Sequence, residues 1–149
     1  MLARSRSYAL LGLEAVPVEV EVDVGQGLPN LTIVGLPDQA VKEARERVRS
    51  ALINSQFEVP AGRLTVNLAP ADLKKEGGSF DLAIALGLLA SSGQASAERL
   101  ETIAAVGELA LDGTLRPAAG ILPISLAARG HDIRTLLVPA ANVAEASLV

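Results

Sequence analysis

Reactive side chains are scarce in this sequence, and those that could act together fall in one stretch. Asp72-Leu73-Lys74-Lys75-Glu76-Gly77-Gly78-Ser79-Phe80-Asp81 places two lysines, two glycines and a serine ahead of the run Leu82-Ala-Ile-Ala-Leu86. If Ser79 to Ser91 is a helix, free backbone amides at its start and the Ser79 hydroxyl converge on one point. That is the chemistry of an anion pocket or of a serine nucleophile. The alternative is structural: Ser79 or Asp81 caps the helix, and Gly77 and Gly78 let the backbone turn tightly. On the residues alone, the cap is the favoured reading.

Elsewhere the sequence excludes more than it offers. A Walker A loop needs Gly-x4-Gly-Lys-Ser/Thr, and none of the three lysines, Lys42, Lys74 and Lys75, has that setting. Gly25-Gln-Gly27 lacks the third glycine of a dinucleotide fingerprint and leads into no helix. The single histidine, His131, follows Gly130 in an expected loop and reads as a surface residue. Glu19, Glu21 and Asp23 share one strand face and could meet a hard cation, but acids on the wet side of a strand are commonplace, so no metal is assigned. With no cysteine, disulfides, thiolate zinc sites and thiol nucleophiles are excluded.

A chain of 149 residues with half its residues hydrophobic is expected to form one domain, residues 1–149, with a sizeable core. The longest early apolar run, Tyr8 to Leu13, is closed by Glu14, far short of the ~20 residues that span a bilayer. It is too brief for a signal peptide despite Arg4 and Arg6, so the expected location is cytoplasmic. A net charge of −4 argues against stand-alone nucleic-acid binding without excluding DNA contact by a larger assembly.

The elements that must position the segment follow from periodicity. Ala15 to Val24 alternates, with Val16, Val18, Val20, Val22 and Val24 on one face, and predicts a half-buried strand. Arg6 to Leu11 and Leu31 to Val34 flank it as further strands, so the first third reads as a β-meander. Asp38 caps a helix whose stripe is Val41, Ala44, Val48, Ala51 and Leu52. Its other face, with Lys42, Glu43, Arg45, Glu46, Arg47 and Arg49, reads as solvated, with an arginine contact surface as the alternative. Arg63 to Leu68 is a fourth strand, and Ser79 to Ser91 is apolar almost all round, hence a central buried helix. Ile103 to Val106 and Glu108 to Leu111 are strand material, with a hairpin turn at Asp112-Gly113. A helix from Leu122 to Arg129 is expected to end in a left-handed cap at Gly130. Thr135 to Val138 is a last strand, and Asn142 begins a helix that the sequence cuts off, as expected of a fragment of something longer.

Four runs carry a resemblance: Pro29-Asn-Leu-Thr-Ile-Val-Gly-Leu-Pro37, Ala40-Val-Lys-Glu-Ala-Arg-Glu-Arg-Val-Arg49, Leu64-Thr-Val-Asn-Leu-Ala-Pro-Ala-Asp-Leu73 and Gly77-Gly-Ser-Phe-Asp-Leu-Ala-Ile-Ala-Leu86. Over nearly the whole chain the sequence resembles the N-terminal domain of the magnesium-chelatase-like AAA+ ATPases, the YifB/ComM competence-protein family. The resemblance implies an α/β (α+β) fold of the ribosomal protein S5 domain 2 type, a mixed sheet with helices packed on it, in the variant seen in Lon proteases. It further implies that an ATPase module carrying the P-loop follows this domain.

The Lon likeness can be followed residue by residue. Lys75-Glu-Gly-Gly-Ser-Phe-Asp81 matches the Lon motif Lys-Asp-Gly-Pro-Ser-Ala-Gly, with Ser79 at the nucleophile position. The stretch that carries the Lon catalytic lysine is matched by Gly107-Glu108, Gly113, Pro117 and Ala119-Gly120-Ile121-Leu122, which puts Leu122 at the lysine position. A leucine cannot accept the serine's proton, and no lysine lies beyond Lys75. Lys74 and Lys75, placed in a polar loop, are poor substitutes, because a base must be held within reach and desolvated.

The expectation is therefore a non-catalytic accessory domain, without cofactor of its own, of a homo-hexameric AAA+ motor. The resemblance makes that motor an ATP-dependent DNA branch-migration helicase of natural transformation, with ATP and Mg²⁺ bound by the absent ATPase module. Contacts to DNA or to that module are assigned to Lys74, Lys75, Gly77, Gly78, Ser79, Arg45 and Arg49, with Tyr8, Phe57 and Phe80 the only aromatics for stacking. The rivals are a divergent serine hydrolase using Ser79 and an ATPase subunit assisting metal chelation.

Overall fold

Period-two alternation builds the centre of the molecule. In the computed structural model, which describes residues 1–149, the alternating segments form β1 (Leu2–Leu11) and β2 (Glu14–Gly25), paired antiparallel from Leu2↔Asp23 to Leu11↔Glu14. Val18, Val20 and Val22 are buried on one face of β2, each worth about 1.5–3 kcal/mol relative to exposure, while Glu19 and Asp23 face water. The remaining elements are β3 (Asn30–Val34), α1 (Gln39–Lys42), α2 (Ala44–Asn54), β4 (Arg63–Ala69), α3 (Asp81–Ser91), β5 (Ile103–Ala105), β6 (Glu108–Leu109), β7 (Leu115–Arg116), α4 (Ile121–Arg129), β8 (Thr135–Leu137) and α5 (Val143–Ala146).

The main sheet has six strands in the order β3-β4-β2-β1-β5-β8, and β6-β7 is a separate ribbon. This is the mixed sheet expected, but the meander is not formed. β4 lies between β2 and β3, antiparallel to β2 and parallel to β3. The physical reason is pairing length. β4 matches β2 over seven residue pairs, from Glu19↔Ala69 to Gly25↔Arg63. β3 spans only five residues and is displaced to the edge, with α1 and α2 carrying the crossover that a parallel pair requires. Gly35 makes the exit from β3 possible: its φ is +106°, and a Cβ there would stand 2.1 Å from the Leu68 carbonyl oxygen.

Strand alternation assigns the helices to opposite faces. Ser5 and Ala9 of β1 face α3, where Ser5 Oγ donates to the Ala83 carbonyl at 2.7 Å, whereas Tyr8 faces the other way into a second core with Ala104, Ile121 and Ile124. α3 is buried along most of its length, as the run of apolar residues requires. Gly87 lets it lie directly on β2, because a Cβ at that position would come within 2.6 Å of Val22 Cγ2. Past α4 the sheet face is polar: Arg4 pairs with Glu19 at 2.9 Å and Glu21 at 3.4 Å, and Asn67 Nδ2 donates to Glu21 at 2.8 Å. No helix is long and apolar enough to cross a membrane.

Three terminus assignments change. The capped helix is interrupted at Glu43 and forms α1 and α2, with the stripe Val41, Ala44, Val48, Ala51 and Leu52 buried as expected. Gly130 ends α4 at φ −87°, an ordinary right-handed value; the left-handed glycine of this helix is Gly120, at its start, with φ +73°. Gly120 also admits Leu10, whose Cδ1 would lie 2.2 Å from an added Cβ. Asn142 precedes α5 but does not cap it, using its side chain to bond both the amide and the carbonyl of Ala118 at 2.8 and 3.0 Å.

Replacing Gly87 by leucine forces a side chain between α3 and Val22. The expected cost is about 1–3 kcal/mol, the range for an overpacked core, read as a lower urea midpoint at unchanged slope. An unchanged midpoint would show that α3 does not sit on β2 as closely as described.

Candidate functional site at the start of the buried helix

The turn that leads into α3 is held by groups from two other parts of the chain, Leu36 to Asp38 and Gly107. Asp38 uses both oxygens: Oδ1 accepts from the Val41 amide at 2.8 Å, capping α1, and Oδ2 accepts from the Gly77 amide at 3.2 Å. The Lys75 amide donates to the Leu36 carbonyl at 3.0 Å, and the Asp38 amide donates to the Lys75 carbonyl at 2.9 Å. On the far side, the Gly107 amide donates to the Ser79 carbonyl at 2.9 Å, and its carbonyl accepts from the Leu82 amide at 3.1 Å. Neither serine nor aspartate caps α3. The N-cap position is Phe80, which makes no side-chain cap bond, and Asp81 is the first helical residue with a different task.

Asp81 is 1 % exposed and accepts three hydrogen bonds: from Arg47 Nε at 2.6 Å, Arg47 Nη2 at 3.1 Å and the Leu109 amide at 3.1 Å. Arg47 Nη2 also donates to the Ala40 carbonyl at 2.7 Å. Arg47 therefore does not belong to the solvated face on which its sequence spacing places it. The expected Glu43 pair is present but loose, at 3.9 Å, while the short bonds run inward. Burial pushes the Asp81 carboxyl above the ordinary carboxylate range, and the Arg47 and Leu109 bonds pull it back. The hydrogen bond to Asp81 in turn holds the Arg47 guanidinium above its usual value, against the opposing effect of burial. One charged pair thereby ties together α1, α2, the start of α3 and β6.

The two loop lysines part company. Lys75 is 0 % exposed, contrary to its placement in a polar loop, and its Nζ donates to the Pro70 carbonyl; burial lowers its pKa from the ordinary lysine value. Lys74 is exposed and pairs with Glu76 at 3.6 Å. Ser79 is half-buried and lines, with Lys74, Glu76, Leu10 and Leu11, a cleft of about 390 Å³. Neither amine is hydrogen-bonded to the Ser79 hydroxyl: one is spent on Pro70 and the other on Glu76. Leu122, at the position matching the lost lysine, is 36 % exposed, and its amide donates to Glu145 at 2.8 Å.

The turn does not fit a nucleotide's phosphates. The Gly77 amide is already used by Asp38, and a Cβ on Gly78 would lie 2.4 Å from Glu108 Oε1, so a carboxylate occupies the space an anion would need. Arg45 and Arg49 lie elsewhere, on a groove beside β3 with Asn30 and Gly62. Of the aromatics, Tyr8 and Phe80 are buried and only Phe57 is exposed. His131 is at the surface, yet it stacks on Tyr8 and its Nδ1 stands 3.1 Å from the Tyr8 hydroxyl. The Arg47–Asp81 pair is the feature that sequence reading missed. A carboxylate in the first turn of an otherwise apolar helix was the signal that it needed a cation.

Removing Arg47 leaves a buried carboxylate with only the Leu109 amide as partner. Arg47→Ala is expected to cost about 3–5 kcal/mol near neutral pH. Burial raises the folded-state pKa of Asp81 above its unfolded value, so stability from this group is fully present at low pH and lost as pH rises through the folded value. Without Arg47 that rise is larger. The deficit of the variant against the parent should therefore shrink as pH falls toward the ordinary carboxylate range, measured by urea unfolding across pH; a deficit independent of pH would contradict the pairing.

The sequence profile of the family described as Subunit ChlI of Mg-chelatase matches residues 20–142. The chain is similar to the competence protein ComM of Haemophilus influenzae, 53 % identical over 148 residues, which is 99 % of this chain and 29 % of that protein. It is also similar to uncharacterized YifB proteins. That of Salmonella typhimurium is 51 % identical over 99 % of this chain and 29 % of its own length, and that of Escherichia coli is 58 % identical over 76 % and 22 %. The chain thus spans less than a third of the curated relatives it matches. With the match running through β2, the Asp38–Gly77 turn, α3 and α4, the chain belongs to the Mg-chelatase ChlI-subunit family and is related to ComM and YifB.

Proposed function

We propose that this chain is a non-catalytic accessory domain of a longer, cytoplasmic AAA+ ATPase that assembles as a homo-hexamer and drives DNA branch migration during natural transformation. The observation that carries the non-catalytic part is the fate of the two lysines. Lys75 is buried against the Pro70 carbonyl and Lys74 pairs at the surface with Glu76, so neither amine is hydrogen-bonded to the Ser79 hydroxyl as a general base would be. The DNA part is supported by the similarity to a competence protein, while a net charge of −4 and one exposed aromatic make this chain a weak nucleic-acid surface and assign the main DNA contact to the rest of the assembly. The domain's work is then to dock on the ATPase module and help subunits assemble or guide DNA. ATP and Mg²⁺ are handled by that module, where the phosphates and the metal have their own loop.

Two measurements test this reading together. A fluorophosphonate probe should leave Ser79 unlabelled, whereas labelling abolished by Ser79→Ala would establish a serine hydrolase. Forked and duplex DNA should bind the chain alone no more tightly than the ~10⁻⁴–10⁻⁶ M of non-specific contact, falling with salt, and bind tightly when the domain is joined to its ATPase module. Equal affinity with and without that module would place the DNA site here and overturn the accessory role.

A further inference from the structure

β3 is the outermost strand of the sheet, and its outer edge has no strand beside it. The Asn30 amide donates to the Gly62 carbonyl next to β4. Alternation in a parallel ladder then directs the backbone groups of Asn30, Thr32 and Val34 toward β4 and those of Leu31 and Ile33 outward. The side chains of Leu31 and Ile33 are turned into the core, so what this edge presents is a short row of free amides and carbonyls. Such an edge is commonly blunted by a charge or a covering loop, because it is a template for another strand.

Beside that edge lies a groove of about 230 Å³ walled by Arg45 and Arg49 of α2, with Asn30, Leu31 and Pro60 on its other sides. Both arginines are exposed, and none of the chain's ion pairs uses either of them. The one acid in the wall, Glu46, leaves it with a net positive charge. Arg63, at the start of β4 and next to Asn30 in register, is likewise exposed and outside the ion pairs. The spacing also selects. Arg45 and Arg49 are four residues apart on a helix, a rise of about 6 Å. Side chains on one face of an extended strand repeat every two residues, about 6.8 Å.

We propose that the free edge of β3 with Arg45 and Arg49 is a docking site for an extended acidic peptide, which adds as a strand and sets alternate carboxylates on the two arginines. Backbone bonds to Leu31 and Ile33 supply the register, and the arginines supply the selection. A flexible nucleic-acid strand would use the arginines but not the strand edge. A peptide uses both features. This inference does not depend on the proposed ATPase context.

The test uses the 149-residue chain and a fluorescein-labelled octapeptide of alternating glutamate and valine. Fluorescence anisotropy should show saturable binding, weakened at least about tenfold in Arg45→Glu/Arg49→Glu and to a lesser degree in the milder Arg45→Gln/Arg49→Gln. Amide hydrogen exchange at Leu31 and Ile33 should slow when the peptide is bound. The proposal is overturned if the same peptide with lysine for glutamate binds equally, or if exchange at those two amides does not change. It is overturned as well if a single-stranded oligonucleotide binds through the arginines while the peptide does not, or if the chain self-associates through β3 and excludes the peptide.

Discussion

A single buried ion pair sets where the central helix begins. Asp81 enters the interior at the first turn of α3, where an unpartnered carboxylate would be costly, and Arg47 reaches it from the first turn of α2 with two hydrogen bonds. Because the guanidinium also bonds the Ala40 carbonyl and the carboxylate also bonds the Leu109 amide, the relative positions of α1, α2, α3 and β6 are coupled. Gly87 against Val22 and the Ser5–Ala83 bond seat α3 on the sheet, and the ion pair ties its first turn to the two helices beside it. The pair fixes the start of α3, and with it the glycine turn that Asp38 and Gly107 hold from either side.

That turn has the residue types of a reaction centre and the wiring of a joint. Its Gly77 amide is committed to Asp38, Glu108 stands against Gly78, and Lys75 is turned away into the protein. Ser79, half-buried at the cleft, therefore sits in a scaffold whose contacts serve position. At the position where the resemblance expects a lysine, α4 begins with Ile121 in the core and Leu122 toward solvent. The proposed accessory role rests on this distribution of contacts, and the proposed partner surface lies beside β3.

Much of the fold was legible in the sequence, because strand alternation and helix stripes are local signals. Val16 to Val24, the stripe Val41 to Leu52 and the apolar run of α3 all declared their buried faces. Strand order was not legible, since nothing within β2 says that β4 rather than β3 takes its free edge; that depends on seven pairs against a strand of five. Arg47 was misplaced because its spacing from Glu43 is that of an ordinary surface pair, and its true partner is thirty-four residues away. Lys75 was misplaced for a related reason: a lysine flanked by Lys74 and Glu76 looks solvated until the loop folds over Pro70. The resemblance located Ser79 and Leu122; the structure places Ser79 in a cleft where neither loop amine is hydrogen-bonded to it, and Leu122 at the start of α4.

The most direct measurement of the joint is a double-mutant cycle between Arg47→Met and Asp81→Leu, read by urea unfolding at neutral pH. A coupling of about 2–3 kcal/mol, with the double variant less destabilised than the two single losses combined, is the expected result. Additive losses, with no coupling between the two positions, would contradict the claim that this pair fixes the start of α3.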